Sequence, residues 1–156
     1  MKKILILIAL VITIVGADTI KVSSALNSLN KFAFENAQGA KLTIPSNVRT
    51  IVVSYEKYTG KLVNNYLDSK NPTYLDKLNA IFIADISEMP SIVITLFALP
   101  KIRKYKHTVY LHYSDEFAKY IPAKDKKITI IKIKNQKVKS ISYIGTKSEL
   151  KNILEN

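Results

Sequence analysis

Apolar positions along the chain fall into runs of two different periods. Arg49 to Tyr55 carries Ile51, Val52 and Val53 without interruption, the pattern of a strand covered on both faces. Ala80-Ile81-Phe82-Ile83-Ala84 repeats it and ends at Asp85. Thr108 to Tyr113 predicts a third strand. Between the first two, Leu62, Val63, Tyr66 and Leu67 recur at helical spacing. Thr59 is positioned to cap that helix, which runs through Asp68. Pro90 suits the first turn of another helix. Ile92, Val93, Leu96, Phe97 and Leu99 give it a wide apolar face, and Pro100 kinks or ends it. Asp115 to Tyr120 has room for one or two further helical turns.

Elsewhere the period shortens to two. Phe32-Ala33-Phe34, the polar stretch Glu35-Asn36-Ala37-Gln38-Gly39, and Ala40-Lys41-Leu42-Thr43-Ile44 before Pro45 predict a hairpin. Near the other end, Ile128, Ile130, Ile131 and Ile133 are set against Thr129 and Lys132 between Lys127 and Lys134. Asn135-Gln136 forms the turn, and Val138 to Ile144 returns as the partner strand. Thr146 or Ser148 starts a last helix with Leu150, Ile153 and Leu154. Strands alternating with helices imply parallel neighbours and right-handed crossovers. The closing hairpin adds antiparallel strands. The fold class expected is therefore α/β, a mixed sheet flanked by helices, with an extra N-terminal β-hairpin.

The stretch Ile128-Thr129-Ile130-Ile131-Lys132-Ile133-Lys134-Asn135-Gln136-Lys137-Val138, followed by Gly145-Thr146-Lys147-Ser148-Glu149-Leu150, resembles the closing ββα unit of thioredoxins. The order of elements from about residue 32 to 155 is similar to that of the thioredoxin-like superfamily. The hairpin around Phe34 and Gly39 resembles the one that precedes the domain in peroxiredoxin-like and membrane-anchored thioredoxin-like proteins. Asp85-Ile86-Ser87-Glu88-Met89-Pro90 and Leu96 to Tyr105 resemble a family of small exported bacterial proteins of uncharacterised activity that lack C-x-x-C, some of them labelled flavin-containing dehydrogenases. The resemblance to thioredoxins implies a C-x-x-C just after the first central strand, where this chain reads Glu56-Lys57-Tyr58-Thr59-Gly60-Lys61. It also implies a cis-proline just before the closing hairpin. That position falls near Lys126 or Lys127, and Pro122 comes several residues too early. The chain has no cysteine, so thiol–disulfide chemistry of its own is excluded.

Lys2 and Lys3, the apolar run Ile4 to Val15 broken only by Thr13, and Val15-Gly16-Ala17 have the charge, core length and small residues of a secretory signal. The apolar core is short for a membrane span. Three segments are expected: a signal peptide at 1–17, a lead segment at 18–31, and a thioredoxin-like domain at 32–156. Cleavage near Ala17 would leave a periplasmic or secreted protein. Lys and Arg number 24 against 12 Asp and Glu, a net charge of +12, which falls to +10 without Lys2 and Lys3. That charge favours anionic partners, though lysines spread from Lys21 to Lys151 also describe an ordinary solvated surface. Nucleic acid is a poor match for an exported chain.

Two places stand out for chemistry. The loop from Tyr55 to Lys61 lies beyond the carboxyl end of a central strand, where ligands bind in open α/β sheets. Tyr55, Lys57, Tyr58, Thr59 and Lys61 are candidates there, since amides and cations at a helix N-terminus suit an anion; the bland reading is a helix cap. At the end of the adjacent strand, Asp85, Ser87, Met89 and Pro90 are candidates, with Asp85 able to pair with Lys57 or Lys61. Here the bland reading is that Asp85 or Ser87 caps the following helix, and Asp85 with Glu88 is an unsupported acid–base pair. His107 and His112 are expected on opposite faces of a strand, one on the surface and one partly buried, which disfavours a metal pair. Tyr55, Tyr58, Tyr105, Tyr110, Tyr113 and Tyr120 either line a groove or close the rim of a core. The only glycines are Gly16, Gly39, Gly60 and Gly145, so G-x-G-x-x-G, P-loop and G-x-S-x-G patterns are absent. The reading is a redox-inactive thioredoxin-like binding or scaffold protein, without a cofactor, that holds a protein or an anionic ligand. The alternatives are a flavin- or other cofactor-dependent oxidoreductase and a basic protein in peripheral contact with an anionic membrane.

Overall fold

The computed structural model describes residues 19–156. The expected signal segment and its junction at Asp18 lie outside them. Seven strands form one mixed sheet: β1 (Phe34–Glu35), β2 (Lys41–Leu42), β3 (Thr50–Ser54), β4 (Ala80–Asp85), β5 (Tyr110–His112), β6 (Ile128–Lys134) and β7 (Lys137–Ile144). Their order is β2-β1-β5-β4-β3-β6-β7. β3, β4 and β5 are parallel, and the closing hairpin joins antiparallel through β3 and β6, with Ile51 opposite Ile131. The N-terminal hairpin extends the other edge by pairing Glu35 with Leu111.

Local chemistry accounts for the turns. Asn135 and Gln136 have φ of 51° and 57°, as a two-residue type I′ hairpin turn requires. In the first hairpin, Asn36 Oδ1 accepts from the amides of Gln38 and Ala40. Gly39 there takes φ 82°, which glycine adopts without a Cβ penalty. The strands of this hairpin are only two residues each, shorter than Phe32–Phe34 and Ala40–Ile44 suggested, because the Asn36 turn takes up the middle. β5 likewise begins at Tyr110 rather than Thr108.

Helices α1 (Lys57–Leu67), α2 (Tyr74–Lys77), α3 (Ser91–Val93) and α4 (Leu99–Ile102) precede α5 (Glu116–Tyr120) and α6 (Lys147–Glu155). Two buried layers result. Ile51, Val53, Ile81, Ile83 and Ile131 face one layer, closed by Phe117 and Tyr120 of α5. Val52, Phe82, Leu111, Ile128 and Ile130 face the other, closed by Val63 and Leu67 of α1 and Leu150 and Leu154 of α6. α6 starts at a capping box in which Thr146 Oγ1 accepts from Glu149 N and Glu149 accepts from Thr146 N.

The segment 19–31 is part of the first layer. A 3-10 turn, Leu26–Lys31, buries Leu26 and Leu29, and Ile20 is buried with them. Its backbone follows the β6–β7 turn, with Ser23 N donating to Val138 O and Val138 N to Ser24 O, both at 2.8 Å.

The helix after Pro90 departs from expectation. Between α3 and α4 the chain makes a π turn, Ile94–Ala98, with Leu99 N donating to Ile94 O. Pro100 has no amide hydrogen and its ring clashes with the carbonyl of residue 96 in a regular α-helix; the wider π turn relieves this. Ile92, Leu96 and Phe97, expected on a buried face, are exposed at 66%, 58% and 68%. Val93, Ile94 and Leu99 are half-buried, so the contact face is narrower than the apolar pattern implied.

Candidate functional site

The carboxyl ends of β3 and β4 bring the two candidate loops side by side, as their parallel pairing requires. α1 begins at Lys57, with Glu56 rather than Thr59 as its cap, and ends at Leu67 with Asp68 as the C-cap. Glu56 and Thr59 form a capping box. Thr59 is buried, and its hydroxyl donates to Glu56 O at 3.0 Å. Glu56 Oε1 also accepts from Lys126 N at 2.9 Å. The carboxylate thus ties the start of α1 to the loop before β6. An anion drawn by the amides at this helix start meets a carboxylate already there. Lys57 and Lys61 are exposed, and Tyr58 is 58% exposed.

Asp85 is buried at the end of β4. Its Oδ1 accepts from Ser87 N at 2.9 Å, a short turn that leads towards α3. The expected pairing of Asp85 with Lys57 or Lys61 does not form; the ion pairs among the described residues join Lys70 and Lys151 to Glu155 and Lys119 to Asp115. Strand parity sends Asp85 into the first layer, whereas α1 lies over the second. Ser87 and Met89 are half-buried, Met89 against the second layer, and Pro90 is exposed.

The same parity aligns Tyr55, Asp85 and His112 in a row across β3, β4 and β5. Asp85 is the register partner of His112. Tyr55 donates its hydroxyl to Ile121 O at 2.9 Å. Burial, then the Asp85 charge, push that hydroxyl far above its ordinary range. His112 Nδ1 lies 2.8 Å from Ala33 O, and Phe32, Phe34 and Phe117 surround its ring. Asp85 Oδ2 and His112 Nε2 are buried and meet no protein partner. Sequence reasoning missed His112 as Asp85's neighbour, because register across a long crossover is not written in either strand.

Both histidines are buried, contrary to the expectation of one at the surface. His107 precedes β5, stacks on Tyr105 and bonds Asn64 Oδ1 at 2.8 Å. Among the described residues, no group of three or more His, Cys, Asp or Glu is arranged to hold a metal. The six tyrosines do not line one groove. Tyr55, Tyr110 and Tyr120 belong to the first layer, Tyr105 packs on the second, and Tyr58 and Tyr113 are exposed.

No family model and no curated protein matches the chain. Solved structures do. A disulfide isomerase-like protein from Bacteroides thetaiotaomicron superposes with a TM-score of 0.53 at 14% identity, over 88% of this chain and 86% of that one. An uncharacterized thioredoxin-like protein from Porphyromonas gingivalis gives 0.52 at 12% identity, over 88% and 92%. A peroxiredoxin-like protein from Aquifex aeolicus gives 0.50 at 9% identity, over 88% and 87%. The fold is thioredoxin-like, with the N-terminal hairpin in place. At this level of identity the likeness establishes the fold and nothing of the chemistry.

Proposed function

We propose that this chain is an exported, redox-inactive thioredoxin-like module that binds another protein through the face where its fold relatives carry thiols. The observation that carries this reading is the helix start itself: a Glu56–Thr59 capping box tied to Lys126, in a chain without cysteine. Tyr58 on α1, and Ile92, Leu96 and Phe97 on the helical stretch after β4, leave large apolar side chains in solvent. Patches of that kind mark interaction sites. Lys57, Lys61, Lys101, Arg103 and Lys104 occur on the same elements, so the partner chemistry is an apolar protein surface ringed by carboxylates. The N-terminal sequence supports export, and no helix among the described residues is long and apolar enough to cross a membrane.

The test is capture from the exported fraction with wild type and with Leu96→Asp/Phe97→Asp, followed by titration of the captured protein in purified form. Saturable binding, weakened by salt and lowered at least about tenfold by the double substitution, is expected. Equal binding by both forms would sink the reading. A second reading rests on one feature: Ile92, Leu96 and Phe97 followed closely by Lys101, Arg103 and Lys104 compose an apolar and basic helical stretch of the interfacial kind. Co-sedimentation with anionic vesicles, lost in the same variant, would favour a membrane over a protein.

A further inference from the structure

The opposite end of the sheet holds an open cavity of about 780 Å³. It lies where the start of β3, the β6–β7 turn and the end of α6 leave a gap. Arg49, Lys132, Lys134 and Lys139 line it, and no Asp or Glu side chain does. None of these four cations takes part in the ion pairs formed among the described residues.

Lys132 is the most telling of the four. It is the register partner of Thr50, so strand alternation turns it inward beneath α6. Its Nζ donates to Thr50 Oγ1 at 3.1 Å and to Ile153 O at 2.7 Å. An ammonium has three donors, so one is left over for the cavity. Burial, and then the charge of Lys139, hold its pKa below the ordinary lysine value. Anchoring the end of α6 explains the two bonds. It does not explain why a half-buried ammonium is set among three more cations with no Asp or Glu side chain in the lining. Such a cluster repels itself until an anion arrives.

We propose that this cavity binds a phosphorylated anion carrying two or more negative charges, of the pyrophosphate class. Arg49 offers a planar fork suited to phosphate oxygens. Lys134 and Lys139 add point charges from the hairpin, and the leftover Lys132 donor completes the set. A monoanion leaves most of that charge unmet. The site is separate from the partner face and stands or falls without it.

Calorimetric titration of the purified exported chain with pyrophosphate at low salt tests the assignment. Three proteins are compared: wild type, Lys134→Gln/Lys139→Gln, and Lys57→Gln/Lys61→Gln, which loses the same charge at the far end. The four substituted lysines, Lys57, Lys61, Lys134 and Lys139, are all exposed, so neither variant disturbs the core. Wild type and the far-end variant are expected to bind alike, and Lys134→Gln/Lys139→Gln about tenfold or more weakly. Equal weakening of both variants, or no saturable binding, overturns the proposal. A second arm uses phosphatidylcholine vesicles containing phosphatidic acid. Vesicle binding lost in Lys134→Gln/Lys139→Gln assigns the phosphate to a lipid headgroup, and pyrophosphate binding without vesicle binding assigns it to a soluble ligand.

Discussion

Asp85 and His112 stand opposite one another on neighbouring parallel strands, each with one buried polar atom that no protein group meets. The Ala33 carbonyl only accepts, so His112 Nδ1 carries its proton. In a neutral imidazole this leaves Nε2 as an acceptor, buried without a protein partner as Asp85 Oδ2 is. Two acceptors cannot bond to each other. Asp85→Asn keeps an oxygen for Ser87 N and replaces the unpartnered buried carboxylate oxygen with an amide donor on the face His112 shares. It is expected to raise stability by about 1 kcal/mol in urea unfolding, and the gain should vanish in the His112→Phe background. A loss in the wild-type background would show that a water already meets Asp85 Oδ2.

Glu56 holds two elements at once, the start of α1 and the amide of Lys126. Glu56→Ala should cost about 1–2 kcal/mol, the range for losing a cap and a charge-assisted bond. Sulfate should restore part of the loss, because the freed amides at the helix start then face solvent. Denaturant midpoints with sulfate and with chloride at equal ionic strength separate this from general salt effects. If sulfate stabilises wild type as much as the variant, the helix start is not what it binds.

His107 makes stability depend on pH. Asn64 Nδ2 donates to Gly60 O, which turns its Oδ1 towards His107 Nε2. That nitrogen is therefore the donor, and Nδ1 is left buried without a partner. Burial lowers the folded-state pKa below the ordinary value, against a weaker opposing pull from Asp68. The unfolded chain then binds the extra proton more readily. This contribution is complete above about pH 6.5 and is lost as pH falls from there towards the folded-state pKa. Unfolding free energies measured across that window should fall with acid in wild type and less steeply in His107→Leu. Parallel slopes would place the titration elsewhere.

Much of this architecture is legible along the chain. Ile51-Val52-Val53 and Ile81-Phe82-Ile83 have the pattern of strands buried on both faces, and the structure makes them β3 and β4; the Asn135-Gln136 turn fixes the register of the closing hairpin. The apolar face of the helix after Pro90 is only partly covered, because apolar spacing records which side chains share a face, not whether anything covers it. A π turn before Pro100 shifts that face further, and no residue pattern signals the shift beyond the proline itself. The candidate loops were placed correctly beside each other by topology, yet Asp85 faces His112 instead of a lysine. That relation depends on strand parity counted across separate strands. The basic cavity is illegible for a similar reason: Arg49 is far in sequence from Lys132, Lys134 and Lys139 and joins them only when β3 and β6 pair.

The lead segment offers the last test, since nothing in its polar sequence marked it as core. Leu29 is fully buried in the first layer, and the backbones of Ser23 and Ser24 bond Val138. Truncating a buried leucine removes its transfer energy and leaves a cavity, together about 2–5 kcal/mol. Leu29→Ala is therefore expected to lower stability by that amount, although it lies outside 32–156. Val22, which is exposed on the same segment, serves as the control, and Val22→Ala should change stability by less than about 0.5 kcal/mol. Equal, small effects at both positions would mean that the segment merely rests on the domain. A large effect at Leu29 alone would mean that the sheet needs it to close its first layer.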